Sequence, residues 1–151
     1  MMHMGSAADR RFRDEFEACR IAPERFDHRA HVRLAYVYLT EGDSEVAVAR
    51  MRRALERFIA WNGVPASKYH ETLTRSWVLA VHLFMQRSPA AASAGAFIDA
   101  NPALLDTRIM LTHYTRDRLF SDAARREFVE PDLAPIPAVA PLRSRASQAS
   151  R

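Results

Sequence analysis

Apolar residues recur at every third or fourth position over most of this chain, which is the spacing that places them on one face of an α-helix. The first half predicts four helices, bounded by capping residues, prolines and glycines. They span about residues 7–20, residues 28–40 behind a cap at Asp27, the segment from Asp43 or Ser44 to Trp61, and the segment from a cap at Ser67 to Gln86. We find no alternating pattern typical of strands joined by hairpins. The pattern therefore predicts an all-α protein.

The second half predicts shorter elements. Ser88-Pro89 and Asn101-Pro102 each combine a capping side chain with a proline suited to the first helical position, which predicts helices near 89–100 and 102–112. A final helix begins at Thr115 or Ser121. The predicted architecture is an irregular single-domain bundle of six to seven helices over residues 7–130. The prolines and arginines of residues 131–151 predict an extended or disordered tail.

Composition narrows the class of protein. The 151 residues are 48% hydrophobic and 26% charged, values typical of one globular domain. The net charge is only +4, and part of it comes from arginines in the tail, so the body lacks the basic surface of a nucleic-acid binder. No apolar run approaches the roughly 20 residues of a membrane span. A single cysteine, Cys19, cannot form an internal disulfide, which favours a cytoplasmic location.

Three histidines form the principal candidate site. His28 and His31 are spaced i, i+3 and project from one face of the second predicted helix. His70 begins the apolar stripe of the fourth predicted helix, and Glu71 follows it. If these helices are neighbours, the histidines meet as metal ligands. Glu71 is then a fourth ligand or a general base.

The position of these histidines at helix starts has an electrostatic consequence. The positive end of a helix dipole disfavours a protonated imidazole, and a neutral imidazole can bind a divalent metal such as zinc or iron. A metal-bound water in such a site supports hydrolysis, and iron supports oxygen chemistry. The same dipoles also favour a small anionic ligand without metal. A protein–protein or homo-oligomeric interaction module is a third hypothesis.

Three aromatic or imidazole side chains accompany this site. Tyr69 and Trp77 flank His70 on the fourth predicted helix, where they are expected to be core residues or walls of a ligand pocket. His113 follows the predicted helix at 102–112, and it either completes the site or simply ends that helix. These three residues are the candidate ligand-binding groups.

The blocks at 26–36, 68–72 and 119–132 resemble a set of short, uncharacterised bacterial helical proteins. Those proteins share a His-x-x-His block like His28–His31 and a later Tyr-His-Glu-Thr block like 69–72. The resemblance covers about residues 12–132. It implies a common helical fold and a shared site, and it carries no assigned activity.

Overall fold

The structure is a computed structural model that describes residues 2–137. Within that range the chain forms seven α-helices and no strand, which confirms the all-α prediction. The helices are α1 (Ala7–Glu17), α2 (His28–Glu41), α3 (Ser44–Trp61), α4 (Glu71–Arg87), α5 (Ala94–Ala100), α6 (Arg116–Leu119) and α7 (Asp122–Arg126). Short 3-10 helices cover Pro23–Arg25, Ala66–Lys68, Pro102–Leu105 and Thr107–Thr112. None of the described helices has the length and apolarity needed to cross a bilayer.

The core lies where α2, α3 and α4 pack against one another, with α1 across α2 and α3. Its largest fully buried side chains include Tyr36 and Tyr38. Both hydroxyls have partners, since Tyr36 donates to the carbonyl oxygen of Met4 at 2.7 Å and Tyr38 donates to Glu17 at 2.7 Å. Satisfying these hydroxyls allows α2 to present an aromatic face to the core without the cost of an unpaired polar group.

The end of α1 differs from the prediction. The helix ends at Glu17 rather than near residue 20, because Cys19 adopts a left-handed conformation with φ of 59°. The amide of Arg20 donates to the carbonyl oxygen of Glu15 at 2.8 Å, and that of Cys19 donates to Phe16 at 3.0 Å. This pair of hydrogen bonds is the Schellman pattern that closes helices. Cys19 therefore lies beyond the helix and not on its apolar stripe.

The start of α4 also differs from the prediction. Ser67 does not cap it, because Ala66–Lys68 forms a separate 3-10 turn and the helix begins only at Glu71. His70 is the capping residue, and its Nδ1 atom accepts a hydrogen bond from the amide of Leu73 at 3.1 Å. An imidazole nitrogen here replaces the side-chain oxygen that usually caps a helix.

The later helices are shorter than predicted. The predicted helix at 89–100 begins only after Ser93, whose hydroxyl accepts from the amide of Ala96. The predicted helix at 102–112 is two 3-10 segments separated by Asp106. The alternative starts of the final helix both occur, since Thr115 caps α6 and Ser121 caps α7.

The first residues of the predicted tail lie against the body. Asp132 accepts hydrogen bonds from the amide and hydroxyl of Thr115 at 2.8 and 2.6 Å. The amide of Leu133 donates to the carbonyl oxygen of His113 at 2.9 Å, and Ile136 packs against the core. The remaining tail residues, 138–151, lie outside the described residues.

Candidate functional site

A cavity of about 500 Å³ lies between α2, α3 and α4 on one side and the segments from Thr107 to Phe120 on the other. His28, His31 and His70 all line it. Tyr69 and Trp77 line it as well. The apolar part of the wall consists of Leu55, Ile59, Leu73, Trp77, Met110, Leu111, Leu119 and Phe120. The structure thus brings the three candidate histidines to one cavity, between the helices from which they were predicted to project.

His28 occupies the first position of α2, directly after the capping Asp27. Its Nε2 atom lies 2.9 Å from the carbonyl oxygen of Leu104, and its ring packs against that of Trp77 with centroids 4.5 Å apart. A carbonyl oxygen can only accept, so Nε2 carries the proton. In neutral His28 the Nδ1 atom is therefore an acceptor, and it has no partner within residues 2–137.

His31 is half-buried one helical turn further along α2. Its ring lies 6.3 Å from that of His28 and 6.0 Å from that of Phe26, measured between centroids. Burial, together with the neighbouring His28, lowers the pKa of His31 to about 4, so its imidazole is neutral at pH 7.

The ring nitrogens of His31 are not used for hydrogen bonds within the described fold. Neither nitrogen has a hydrogen-bond partner in the described part of the chain. No enclosed side-chain nitrogen or oxygen atom of residues 2–137 lacks a partner, so the unpaired nitrogens of His31 must be accessible to solvent. Because His31 also lines the cavity, its ring is placed to meet a bound molecule there.

His70 is buried, and both of its ring nitrogens are used within the protein. Nδ1 accepts from Leu73, and Nε2 donates to the carbonyl oxygen of Leu119 at 2.8 Å. Burial is the main reason that its pKa is lowered, and the charge of Arg125 lowers it further, although the bond to Leu119 acts in the opposite direction. His70 therefore joins the start of α4 to the end of α6 and leaves no nitrogen lone pair for a metal.

Glu71 is held in an ion pair outside the cavity lining. Both of its oxygens accept from Arg52, one of them at 2.9 Å, and the hydroxyl of Tyr69 donates to it at 2.6 Å. Burial by itself would raise the pKa of Glu71, but the bonds from Arg52 and Tyr69 outweigh it and lower the pKa overall. The carboxylate is thus ionised and fully engaged, which disfavours the predicted role as a general base.

The predicted set of four metal ligands does not come together. Among residues 2–137, no three histidine, cysteine, aspartate or glutamate side chains are arranged so that they could hold a metal ion. The contacts of His70 and Glu71 account for this, because both side chains are already paired with other groups. Metal binding stays a prediction that rests on His28 and His31.

His113 lies apart from the other candidates and does not line the cavity. Its Nδ1 atom donates to the carbonyl oxygen of Ala134 at 2.7 Å. This bond and the one from the amide of Leu133 fasten residues 133 and 134 to the body. The structure therefore gives His113 a role in fixing the C-terminal segment.

Three cationic residues at the cavity were not singled out from the sequence. Lys68, Arg108 and Arg116 are exposed and line the cavity, whereas no lining residue carries a carboxylate. Arg108 pairs with Asp106, but within residues 2–137 the side chains of Lys68 and Arg116 form no ion pair or hydrogen bond. A sequence signal for Lys68 existed, because it is the single lysine among 22 basic residues and adjoins the Tyr-His-Glu-Thr block.

The chain matches no protein-family model, no curated protein and no solved structure. The resemblance to short bacterial helical proteins therefore stays a prediction.

Proposed function

We propose that this protein binds a small organic anion with an apolar body in the histidine-lined cavity. The observation that carries the proposal is the composition of the lining, which combines a mainly apolar wall with three cationic residues and no carboxylate. The chain as a whole has 22 basic and 18 acidic residues, so an acid-free lining does not simply follow from composition. Apolar cavities with a few converging polar groups are the usual form of small-molecule sites.

The cationic residues indicate where the charged group of the ligand would lie. Lys68 and Arg116 are exposed, so their charges stand at the mouth of the cavity and remain hydrated. Neither side chain is neutralised by a described neighbour. A carboxylate or phosphate at the mouth would form charge-assisted hydrogen bonds with them without being taken fully out of water.

The interior favours an uncharged portion of the ligand. Leu73, Trp77 and Met110 contribute apolar surface. His31 and His70 are neutral at pH 7 because burial lowers the pKa of both imidazoles. Burying an unpaired charge among these groups would be costly. The proposed ligand therefore places its anionic group at the mouth and its apolar body inside.

Calorimetric titration with 3-phenylpropanoate and with its uncharged methyl ester tests this function. The acid should bind about tenfold more tightly than the ester, and its affinity should fall as salt is added. Lys68→Ala and Arg116→Ala should each weaken binding of the acid. Arg11→Ala, which removes the same charge from exposed α1 surface outside the lining, is the matched control. Equal binding of acid and ester, or an equal loss in Arg11→Ala, would contradict the proposal.

A divalent metal is a second proposal, supported by the unpaired nitrogens of His28 and His31 on one cavity. Two histidines are fewer than the three protein ligands usual for catalytic zinc. Titration of metal-free protein with zinc should then give about one bound ion per chain, lost in His31→Leu and retained in His113→Leu. Binding that survives in His31→Leu would exclude this site.

A further inference from the structure

The side chains of His28 and His31 can form hydrogen bonds in the cavity but are not needed to hold an anionic group at its mouth. His28 and His31 lie on the same face of α2, and both line the cavity. Every other described histidine nitrogen at the cavity is paired, since His70 uses both of its nitrogens within the fold. The unpaired groups of His28 and His31 are therefore available to recognise a polar group on the ligand itself.

The protein fixes what His28 can offer. Its Nε2–H is committed to the carbonyl oxygen of Leu104, so the remaining Nδ1 atom is a lone-pair acceptor. This atom has no partner within residues 2–137. Because no enclosed side-chain nitrogen or oxygen in that range lacks a partner, Nδ1 of His28 must be accessible to solvent. A ligand atom that meets it must carry a hydrogen to donate.

His31 offers the complementary group. As a neutral imidazole with two unpaired nitrogens it provides one N–H donor and one acceptor. The low basicity of His31 suits it to hydrogen bonding rather than to removing a proton from a ligand. Next to the acceptor of His28, the cavity thus presents an acceptor and a donor together.

The spacing of the two rings fits a single bridging oxygen atom. Their centroids are 6.3 Å apart, and the two ring planes are inclined at 39° to each other. Two hydrogen bonds of about 2.8 Å each reach across roughly 5.6 Å. One hydroxyl oxygen can therefore donate to His28 and accept from His31 at the same time. A carbonyl or ether oxygen can satisfy only His31.

We propose that the ligand is a hydroxylated apolar acid, with its anionic group at the mouth and its hydroxyl group bridging His28 Nδ1 and His31. This inference rests on the proposed function and adds the chemical class of the ligand. The aromatic side chains of Trp77 and Tyr69 on the wall provide flat surfaces for a hydroxyaryl body. The hydroxyl adds selectivity because its absence leaves both imidazole groups unpaired.

Three probes of one skeleton test the inference by calorimetry on the full chain. They are 3-(4-hydroxyphenyl)propanoate, 3-phenylpropanoate and 3-(4-methoxyphenyl)propanoate. The hydroxy acid should bind about tenfold more tightly than the other two, because only it can donate to His28. In His31→Phe this preference should disappear while 3-phenylpropanoate still binds, which shows that the cavity is intact. His113→Phe, outside the lining, should keep the preference.

Each contrary outcome has a distinct meaning. If the hydroxy acid and 3-phenylpropanoate bind equally well, the hydroxyl is not recognised, and this inference fails while the proposed function stands. If the methoxy acid binds as tightly as the hydroxy acid, no donor is recognised by His28 and the inference also fails. If no acid binds, both proposals fail. The probe comparison uses the unmodified protein, so it decides the question even if His31→Phe does not fold.

Discussion

His28 donates a hydrogen bond from Nε2 to the backbone carbonyl oxygen of Leu104, 2.9 Å away. The two residues are 76 positions apart, and their bond joins the start of α2 to the 3-10 helix Pro102–Leu105. The same bond fixes the proton on Nε2 and leaves Nδ1 as an acceptor. One contact thus stabilises the fold and sets the chemistry that His28 presents to the cavity.

Replacing His28 with leucine should destabilise the protein. His28→Leu keeps much of the packing against Trp77 but leaves the carbonyl of Leu104 unpaired, so we expect the free energy of unfolding to fall by about 1–3 kcal/mol. His31→Leu is the matched control, because the side chain of His31 makes no hydrogen bond among residues 2–137. Urea denaturation at pH 7 measures both. A loss as large in His31→Leu would show that the bond to Leu104 is not the cause.

Glu71→Gln should affect stability rather than ligand binding. The substitution weakens the contacts with Arg52 and Tyr69, and Glu71 does not line the cavity. We expect a loss of about 1–3 kcal/mol in the free energy of unfolding, with the affinity for 3-phenylpropanoate unchanged. In the control Glu45→Gln, an exposed pair with Arg75 is broken, at a cost of about 0–1 kcal/mol. Loss of ligand binding in Glu71→Gln at unchanged stability would instead place Glu71 in the site.

Stability should decrease on mild acidification. The pKa of His31 is about 4 in the folded protein, against an ordinary value of 6.5, so between these values the unfolded chain binds a proton that the folded protein does not. This contribution is complete above about pH 6.5 and is lost as the pH falls toward 4. Burial also lowers the pKa of His70 and His82, which act in the same direction.

The share of His31 in this pH dependence can be isolated. Between about pH 7 and about pH 5, the free energy of unfolding should fall less in His31→Leu than in the unmodified protein. The slope of this free energy against pH measures the protons taken up on unfolding, and the variant should take up as much as about one proton fewer. Urea denaturation at several pH values provides the slope. An identical slope in both proteins would mean that His31 titrates in the folded state as it does in the unfolded chain.

His113→Ala should loosen the C-terminal segment and leave the cavity unchanged. The variant loses the bond from Nδ1 to the carbonyl oxygen of Ala134, while the bonds of Asp132 to Thr115 persist. We expect faster proteolysis within residues 131–137 and unchanged affinity for 3-phenylpropanoate. Thr112→Ala is a control from the same region, because its hydroxyl bonds only to the local carbonyl of Ile109. Weaker ligand binding in His113→Ala would connect this segment to the cavity.

The parts of the fold that depend on short stretches of sequence were predicted well. Asp27 caps α2 as predicted, and Asp43, one of the two predicted candidates with Ser44, caps α3. Capping is predictable because it needs only a side-chain oxygen and an amide three residues later. Errors arose where two local signals competed. Ser67 and His70 can both cap a helix, and the turn after Pro65 decided in favour of His70. In the same way, Ser93 rather than Ser88 begins α5.

The sequence by itself determined that His28 and His31 share one face of a helix, since an i, i+3 spacing has that consequence in any α-helix. Tertiary structure decided which imidazole nitrogens remain free. His70 is paired with Leu119, which is 49 residues away, and His28 with Leu104, 76 residues away. Such backbone carbonyls have no signature in the sequence, because every residue carries one and only the packing of helices brings a particular one to a given side chain.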